Sequence, residues 1–436
     1  MRRLNKVTLI RGADILTMDE RFTVIPGGNV LIRGDEIEYV GLALPRIRPD
    51  EEIDATGKLL MPGFSNIHTH LPMSLLRGAG EDLPLMDWLT QNIFPLEDKL
   101  DDELAYYGTM LSLAEMIKTG TTSIADMYFF CDGIAKAIVE SGMRANMSRC
   151  VVGQTLEECD SRVQDALAIY DRHHGTGEGR LEVGFAVQGE YIAGGEVMAH
   201  VAKLAQERDA VFQIHVSETR SEHEACRQRH DGLTPFAYLD SIGALNGRVI
   251  AAHCVWISHK DMDLIKDRDV TVASCPKSNL KLGSGVARIS DMLARGVKVG
   301  LGTDGAASNN QLDIMDEMRY LALLQKGVLR DPSRMSINET LAAATRTGAQ
   351  AVCKGAGSVA PGKKADLILV DTGDTRFLPR QNSDAHLLYS ASSRDICMTM
   401  VGGRVLYEDG KLTFCNEQKL KEDFCRAAER LYAGKA

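Results

Sequence analysis

The feature of this sequence that most restricts its fold is a regular alternation in the middle of the chain. Between about residues 61 and 310, eight short apolar runs alternate with longer segments of mixed charge that resemble helices. The runs are MPGFSNIHTH, TTSIADMY, RANMSRCVV, LEVGFAVQGE, AVFQIHVSE, RVIAAHCV, VTVASCP and VKVGLGTDG. This alternation predicts an α/β fold with a parallel sheet. Eight units in about 250 residues match a (β/α)8 TIM barrel, with an open doubly wound sheet as the alternative.

Both ends of the chain have a different pattern, which predicts a second domain. Residues 7–60 contain short alternating strands separated by Gly and Asp, and similar segments return at 365–373 and 398–414. We expect them to pair into a small β-sandwich domain built from both chain ends, residues 1–60 and 361–415. The barrel then comprises residues 61–360, and EQKLKEDFCRAAERLYAG predicts a C-terminal helix within residues 416–436.

Composition narrows the classes of partner and the compartment. The net charge of −10 comes from intermixed acidic and basic residues, which argues against a nucleic-acid partner. Ten scattered cysteines without a Cys-x-x-Cys pair predict reduced thiols. Arg11 and Asp14 interrupt the only apolar stretch near the N-terminus, so neither a secretory signal nor a membrane partner is expected. We therefore predict a cytoplasmic protein, and a homo-oligomer remains an open alternative.

Histidines and an aspartate follow three of the predicted strands. His68 and His70 end the first strand, His215 ends the fifth, and Asp304 ends the eighth. In a barrel these strand ends meet at one rim, where catalytic groups lie. Three imidazoles and one carboxylate suit a catalytic zinc ion, with iron as the alternative. The fourth predicted strand has no lysine that could bridge two ions, so one divalent metal ion is expected.

Each of these motifs is weak by itself, because His-x-His pairs and Asp-Gly turns are common. Their order at successive strand ends is much less common. Two more polar residues fit the same pattern: Glu218 lies three residues after His215, and His253 ends the sixth strand.

Glu218 and His253 predict acid–base chemistry beside the metal ion. A bound metal ion lowers the pKa of water towards neutrality, and Asp304 can accept the released proton. Glu218 can protonate a ring nitrogen of the substrate, and His253 can stabilise the new C–O group. These roles predict hydrolytic attack on an sp² carbon with departure of an amine or amide. A non-catalytic metal-barrel protein is the less favoured alternative, because it would have no use for Glu218 and His253.

Several of these segments are recognisable. PGFSNIHTH, HVSET, AAHC and LGTDGAASNN resemble the amidohydrolase superfamily, and the resemblance extends over nearly the whole chain. THLPMSLLRGAGEDLPLMDWL and LGTDGAASNNQLDIMDEMR are similar to the 5-methylthioadenosine/S-adenosylhomocysteine deaminases. This resemblance implies hydrolysis of the adenine amino group of an adenosine derivative, which gives the inosine analogue and ammonia. It also implies one zinc or iron ion on the four ligands named above.

The resemblance further implies a set of substrate contacts. Trp88 corresponds to an aromatic contact and Glu97 to the carboxylate that holds the ribose hydroxyls, for which its two acceptor oxygens are suited. Arg149 and Arg162 correspond to two arginines that bind the amino-acid carboxylate of S-adenosylhomocysteine. Further implied contacts come from Glu218, His253 and Ser308.

One segment departs from the pattern of these deaminases. Where they have Pro-His-x-Pro-Tyr after the fourth strand, this chain has VQGEY, so Gln188 occupies the histidine position. Gln188 can still donate a hydrogen bond to a purine, and we expect Glu190 to add a negative charge beside it. The departure leaves open another N-heterocyclic substrate, such as a free base, a pterin or an s-triazine.

Overall fold

The computed structural model describes residues 6–433, which form strands and α-helices joined by loops and short 3₁₀ and π-helical turns. The strands are β1 (Val7–Leu16), β2 (Val24–Arg33), β3 (Glu36–Gly41), β4 (Glu51–Asp54), β5 (Lys58–Pro62), β6 (Phe64–Thr69), β7 (Thr121–Tyr128), β8 (Arg144–Val151), β9 (Leu181–Val187), β10 (Val211–Val216), β11 (Arg248–His253), β12 (Thr271–Ser274), β13 (Lys298–Leu301), β14 (Leu367–Asp371), β15 (Ile396–Val401), β16 (Arg404–Glu408) and β17 (Lys411–Leu412). Residues 1–5 and 434–436, at the ends of the two predicted terminal segments, lie outside the described residues.

The helices lie mainly between the strands of the middle region. They are α1 (Leu85–Trp88), α2 (Phe94–Glu97), α3 (Asp102–Lys118), α4 (Cys131–Ser141), α5 (Leu156–His173), α6 (Thr176–Gly179), α7 (Gly195–Glu207), α8 (Arg220–Arg229), α9 (Pro235–Ser241), α10 (His259–Asp267), α11 (Pro276–Lys281), α12 (Ile289–Ala294), α13 (Ala306–Asn309), α14 (Ile314–Leu329), α15 (Ile337–Ala342), α16 (Gly348–Val352), α17 (Ser383–Tyr389) and α18 (Glu417–Tyr432). Within residues 6–433, no helix combines the length and the apolar character needed to cross a membrane.

Strands β6 to β13 form a closed barrel in which every neighbouring pair is parallel. Each of the eight predicted apolar runs contains one of these strands, so the predicted TIM barrel is confirmed. The strands are buried on both faces, as parallel strands covered by helices must be; all eight residues of β7 are buried, for example. The barrel brings the carboxyl ends of β6, β10, β11 and β13 to one rim.

The strands at both ends of the chain form a second sheet beside the barrel. Its order is β17-β16-β15-β14-β5-β1-β2-β3, and β4 also pairs with β1. The two ends of the chain meet where β14 pairs antiparallel with β5. One apolar core that includes Ile10, Ile32, Leu60 and Leu367 packs between these strands. A satellite sheet built from both chain ends is therefore confirmed, whereas the β-sandwich form expected for it stays a prediction.

A buried ion pair joins the satellite sheet to the barrel. Arg144 of β8 donates from Nε to Asp366 Oδ2 at 2.6 Å and from Nη2 to Asp366 Oδ1 at 3.0 Å. Asp366 also accepts from the backbone of Gly402, which leads into β16. Paired and hydrogen-bonded charges of this kind tolerate burial, whereas loss of one partner would leave the other uncompensated. None of the ten cysteines, all within residues 6–433, is paired in a disulfide.

Candidate active site

Four polar side chains converge at the carboxyl rim of the barrel. His68 and His70 come from the end of β6, His215 from β10, and Asp304 from the loop after β13. His70 Nε2 lies 3.2 Å from Asp304 Oδ1 and 3.3 Å from His215 Nε2. Donor atoms of His68, His70 and Asp304 all lie within 4.8 Å of one another, and so do those of His68, His215 and His253. Positions that are up to 236 residues apart in sequence thus share one small volume.

The chemistry of these donors fits a divalent metal ion. His68 Nε2 is buried and has no hydrogen-bond partner among the described residues, and a buried polar atom normally requires one. Burial lowers the pKa of His68 to about 4 and that of His215 well below the usual value. Both imidazoles are therefore neutral near pH 7, which is the form that binds metal. Against the effect of burial, the contact with Asp304 raises the pKa of His70 to about 9, so a bound cation would displace a proton there.

Backbone carbonyls orient two of the histidines. His70 Nδ1 donates to the carbonyl of Met127 at 2.7 Å, and His215 Nδ1 donates to the carbonyl of Gln188 at 2.6 Å. These bonds fix the tautomer and leave each Nε2 directed at the cluster, as is usual for metal-binding histidines.

Asp304 is held by hydroxyl and backbone donors. Its Oδ2 accepts from Ser278 Oγ at 2.6 Å and from Ser308 Oγ at 2.7 Å, and its Oδ1 accepts from the backbone of Gly305. Burial alone would raise the pKa of this carboxyl, but the nearby His68 and His70 hold it well below its usual range. Asp304 is therefore ionised and can bind a cation.

Several residues at this rim have left-handed backbone conformations. Ser217, His253 and Asp304 have φ angles of 53°, 70° and 62°. Such conformations cost a non-glycine residue about 1–3 kcal/mol and concentrate at functional sites. The surrounding hydrogen bonds compensate: Asp304 N donates to the carbonyl of His68, and Ser217 N donates to Glu222 Oε1. The strained turns direct side chains from the strand ends into the rim.

Glu218 and His253 lie beside the donor cluster. His253 Nε2 is 3.8 Å from Glu218 Oε2, and its Nδ1 is bonded to Asn279 Oδ1 at 2.9 Å. Burial raises the pKa of Glu218, although a hydrogen bond from Ser284 partly opposes this effect. Glu222 accepts from the backbone of Ser217, Glu218 and Thr219 and so fixes the turn that carries Glu218. A carboxyl with a raised pKa next to an imidazole can act as a proton donor or acceptor in catalysis.

The cluster opens into a cavity of about 730 Å³, a volume within the usual range of small-molecule sites. We call the buried end formed by His70, His215, Glu218, His253 and Asp304 the floor of the cavity. Apolar and aromatic side chains form much of the wall. They are Met73, Leu85, Trp88, Leu89, Phe94, Tyr128, Phe129 and Leu282.

Comparison with protein families identifies the group to which this site belongs. The model described as the amidohydrolase family matches residues 59–406, well over half of the chain. This chain belongs to the amidohydrolase family.

Individual relatives agree with this membership. The 5'-deoxyadenosine deaminase of Methanobrevibacter smithii is 41% identical over 409 residues, which cover 93% of this chain and 94% of the relative. The 5-methylthioadenosine/S-adenosylhomocysteine deaminase of Pelotomaculum thermopropionicum is 41% identical over 427 residues, 97% of this chain and 98% of the relative. A zinc-bound adenosine deaminase from Xanthomonas campestris has a TM-score of 0.92 at 31% identity and covers 97% and 98% of the two chains. The resemblance predicted from the sequence motifs is thereby confirmed.

The substrate contacts implied for this amidohydrolase all line the cavity. Trp88 is 5% exposed and donates from Nε1 to the carbonyl of Ala79. Glu97 accepts from Tyr128 Oη at 2.5 Å, and burial raises its pKa. Ser308 also lines the cavity, but its hydroxyl is bonded to Asp304.

Arg149, Arg162 and Asp165 form what we call the α5 side of the cavity. Arg149 Nε donates to Asp165 Oδ2 at 2.7 Å, and Arg162 Nη1 donates to the carbonyl of Val152 at 3.0 Å. Asp165 was not singled out in the sequence, where it is one of many acidic residues on a charged helix.

The expectation for Glu190 is wrong. Gln188 lines the cavity, but the Glu190 carboxylate is buried in an ion pair with Arg229 at 2.5 Å and His230 at 2.7 Å. Both side chains come from the end of α8; Arg229 compensates the charge of Glu190, and His230 adds a hydrogen bond. Glu190 therefore anchors the loop after β9 and does not line the cavity.

Two contacts to residues of the candidate site were missed by the sequence analysis. Ser278 bonds the Asp304 carboxylate, and Asn279 bonds the His253 ring. Both lie on α11, two and three residues after the apolar run VTVASCP, so a signal was present: polar residues follow the seventh strand as they follow the first, fifth and eighth.

Proposed function

We propose that this protein is a metal-dependent hydrolytic deaminase of adenosine derivatives, with one zinc ion. Candidate substrates are 5-methylthioadenosine, S-adenosylhomocysteine, 5'-deoxyadenosine and adenosine, and the products are the inosine analogue and ammonia. The observation that carries the proposal is that one cavity joins the donor cluster and the Glu218–His253 pair to Trp88 and Glu97. The deaminase names of the relatives support it.

His68, His70, His215 and Asp304 would hold the ion. When bound there, zinc would lower the pKa of a water molecule towards neutrality and so supply a nucleophile. Asp304 would accept the proton that the attacking water loses as the water adds to C6 of the purine.

Glu218 and His253 complete the reaction. Glu218 donates a proton to the ring nitrogen next to C6, so that the electron pair of the C=N bond moves to that nitrogen. His253 donates a hydrogen bond to the new oxygen on C6 and stabilises the tetrahedral intermediate. The proton held by Asp304 passes to the amino group, the C6–N bond breaks, and ammonia leaves. The C6 hydroxyl then becomes the carbonyl of the product and returns its proton to Glu218.

The cavity walls would orient the substrate. Trp88 packs against the apolar part of the nucleoside, and Gln188 donates a hydrogen bond to a purine nitrogen. Glu97 accepts from the two ribose hydroxyls, for which its two oxygens provide four lone pairs.

Ammonia release tests the proposal. The zinc-loaded protein is incubated with the four adenosine derivatives, and we expect release from at least one of them together with the matching inosine analogue. Absence of turnover with all four would overturn the proposed function.

The substrate class can be tested at Glu97, because Gln188 keeps other heterocycles as a second candidate. Glu97→Gln should lower kcat/KM for ribosides by roughly 100-fold, since hydrogen bonds to a charged group contribute about 1.5–3 kcal/mol. Asp87→Asn, an exposed change on the neighbouring helix α1, is the control. Unchanged kcat/KM in Glu97→Gln, with turnover of a free base, a pterin or an s-triazine, would favour the second candidate.

A further inference from the structure

The α5 side of the cavity carries charges of both signs. Arg149 lies near the end of β8, while Arg162 and Asp165 lie on α5. The spacing of three residues places Arg162 and Asp165 on the same helix face, and all three side chains line the cavity. This face is therefore a mixed-charge surface and not a purely basic one.

The contacts of the two arginines leave donors available. Arg149 uses Nε for Asp165, and its Nη1 contacts the carbonyl of Cys150; its guanidinium lies 5.4 Å from the centre of the Phe129 ring. Arg162 Nη1 donates to the backbone carbonyls of Val152 and Glu158. Each guanidinium has five N–H donors, so both arginines can still bind a carboxylate.

Asp165 offers an acceptor beside these donors. Its Oδ2 accepts a hydrogen bond from Arg149 Nε, while its Oδ1 has no hydrogen-bond partner within residues 6–433. The Asp165 side chain is 50% exposed, whereas that of Arg149 is 13% exposed. One Asp165 oxygen thus holds Arg149 in place and the other is available to a ligand.

This arrangement discriminates among the charged groups that a 5'-substituent of the substrate can carry. An α-amino acid carries a carboxylate and an ammonium group on one carbon, and so requires donors and an acceptor side by side. A carboxylate without the ammonium group would use the arginines but would lie against Asp165, which is unfavourable for like charges. An uncharged substituent would gain nothing from any of the three side chains.

We infer that Asp165 is a specificity-determining residue that binds the α-ammonium group of a zwitterionic 5'-substituent, as in S-adenosylhomocysteine, beside the carboxylate on Arg149 and Arg162. The inference rests on the proposed function, since it concerns the distal end of the substrate of the same site. It goes beyond that function by assigning a role to Asp165 and a charge pattern to the substituent.

A matched pair of substrates tests the inference. The first is S-adenosylhomocysteine, and the second is 5'-S-(3-carboxypropyl)-5'-thioadenosine, which differs from it only in lacking the ammonium group. The ratio of their kcat/KM values isolates the contribution of that group, because purine, ribose, sulfur and carboxylate are the same. Turnover of 5'-deoxyadenosine, which has neither end group, shows separately that the catalyst is intact.

We expect the parent to prefer S-adenosylhomocysteine by about tenfold, which corresponds to one charge-assisted hydrogen bond of roughly 1.4 kcal/mol. In Asp165→Asn the preference should fall to about one. Asp160→Asn removes the same charge from an exposed position of α5 outside the cavity lining and should retain the preference.

Three results would overturn the inference. They are equal kcat/KM values for the two substrates in the parent, turnover of 5'-deoxyadenosine without turnover of S-adenosylhomocysteine, and an undiminished preference in Asp165→Asn. Loss of turnover with every substrate would instead contradict the proposed function, so the two failures can be distinguished.

Discussion

At the floor of the cavity, His215 and His253 come from the ends of barrel strands and Asp304 from the loop after β13, and all three are at most 5% exposed. On the α5 side, Arg162 and Asp165 come from a helix, and Asp165 is half exposed. Strand register and burial therefore fix the floor, where each donor also has a hydrogen-bonded or strained support. The α5 side depends on longer side chains whose positions are less constrained. The floor therefore carries the chemistry of the reaction, and the α5 side selects the substrate.

The largest loss is expected when the floor loses a ligand. His215→Ala should lower metal content and turnover by more than the 10–100-fold that loss of an outer hydrogen-bond partner costs, since a direct ligand is removed. Metal analysis and ammonia release on the same sample measure both effects. His200→Ala, on α7 and outside the cavity lining, is the control. Full activity of His215→Ala with the parental metal content would contradict the proposed site.

The next largest effect separates acid–base chemistry from metal binding. Glu218→Gln should lower kcat by roughly 10²–10⁴-fold, the usual contribution of a positioned proton donor. Its metal content should stay at the parental level, because Glu218 is not one of the four proposed ligands. Glu224→Gln, an exposed change on α8, provides the control. A kcat equal to that of the parent would remove Glu218 from the mechanism.

A smaller effect is expected on the wall of the cavity. Gln188→Ala should lower kcat/KM about tenfold, since it removes one hydrogen bond of roughly 1–1.5 kcal/mol to the purine. The backbone carbonyl of Gln188, which orients His215, is retained, so metal content should not change. Steady-state kinetics with metal analysis measures both. A loss as large as that of Glu218→Gln would show that the wall and the floor are not separable in this way.

The smallest effect is a shift in pH dependence. Burial raises the pKa of Glu218, and its proposed role requires the protonated form, so kcat/KM should fall as the pH rises through that pKa. The hydrogen bond from Ser284 lowers this pKa. Ser284→Ala should therefore move the alkaline limb to higher pH, by about 0.5–1 unit for a bond of roughly 0.5–1.5 kcal/mol.

Ser221→Ala, an exposed hydroxyl change on α8, controls for substitution alone. A shift of the alkaline limb to lower pH in Ser284→Ala would contradict the assigned role of Glu218.

The contrast between the two regions also explains what the sequence could predict. His68, His70, His215 and Asp304 each follow an apolar run, and strand periodicity alone places such residues at one rim of a barrel. The structure brings them together for that reason. Glu190 could not be placed in the same way, because its burial against Arg229 and His230 depends on how α8 packs.

Pairing within the satellite sheet was equally hard to predict in detail. The similar patterns at the two chain ends predict that they associate, but not that β14 pairs antiparallel with β5 or that β1 pairs with both β4 and β5. These pairings are long-range contacts without a local sequence signal. The Asp165–Arg149 contact is of the same kind, since it joins a helix to a strand.

Titration of the metal-depleted parent with zinc, with ammonia release from 5'-deoxyadenosine as the readout, tests the central claim most directly. We predict that activity is absent without metal, rises linearly with added zinc, and reaches its plateau at one ion per chain. Full ammonia release from the metal-depleted protein, or a plateau reached only at two ions per chain, would contradict a single ion held by His68, His70, His215 and Asp304.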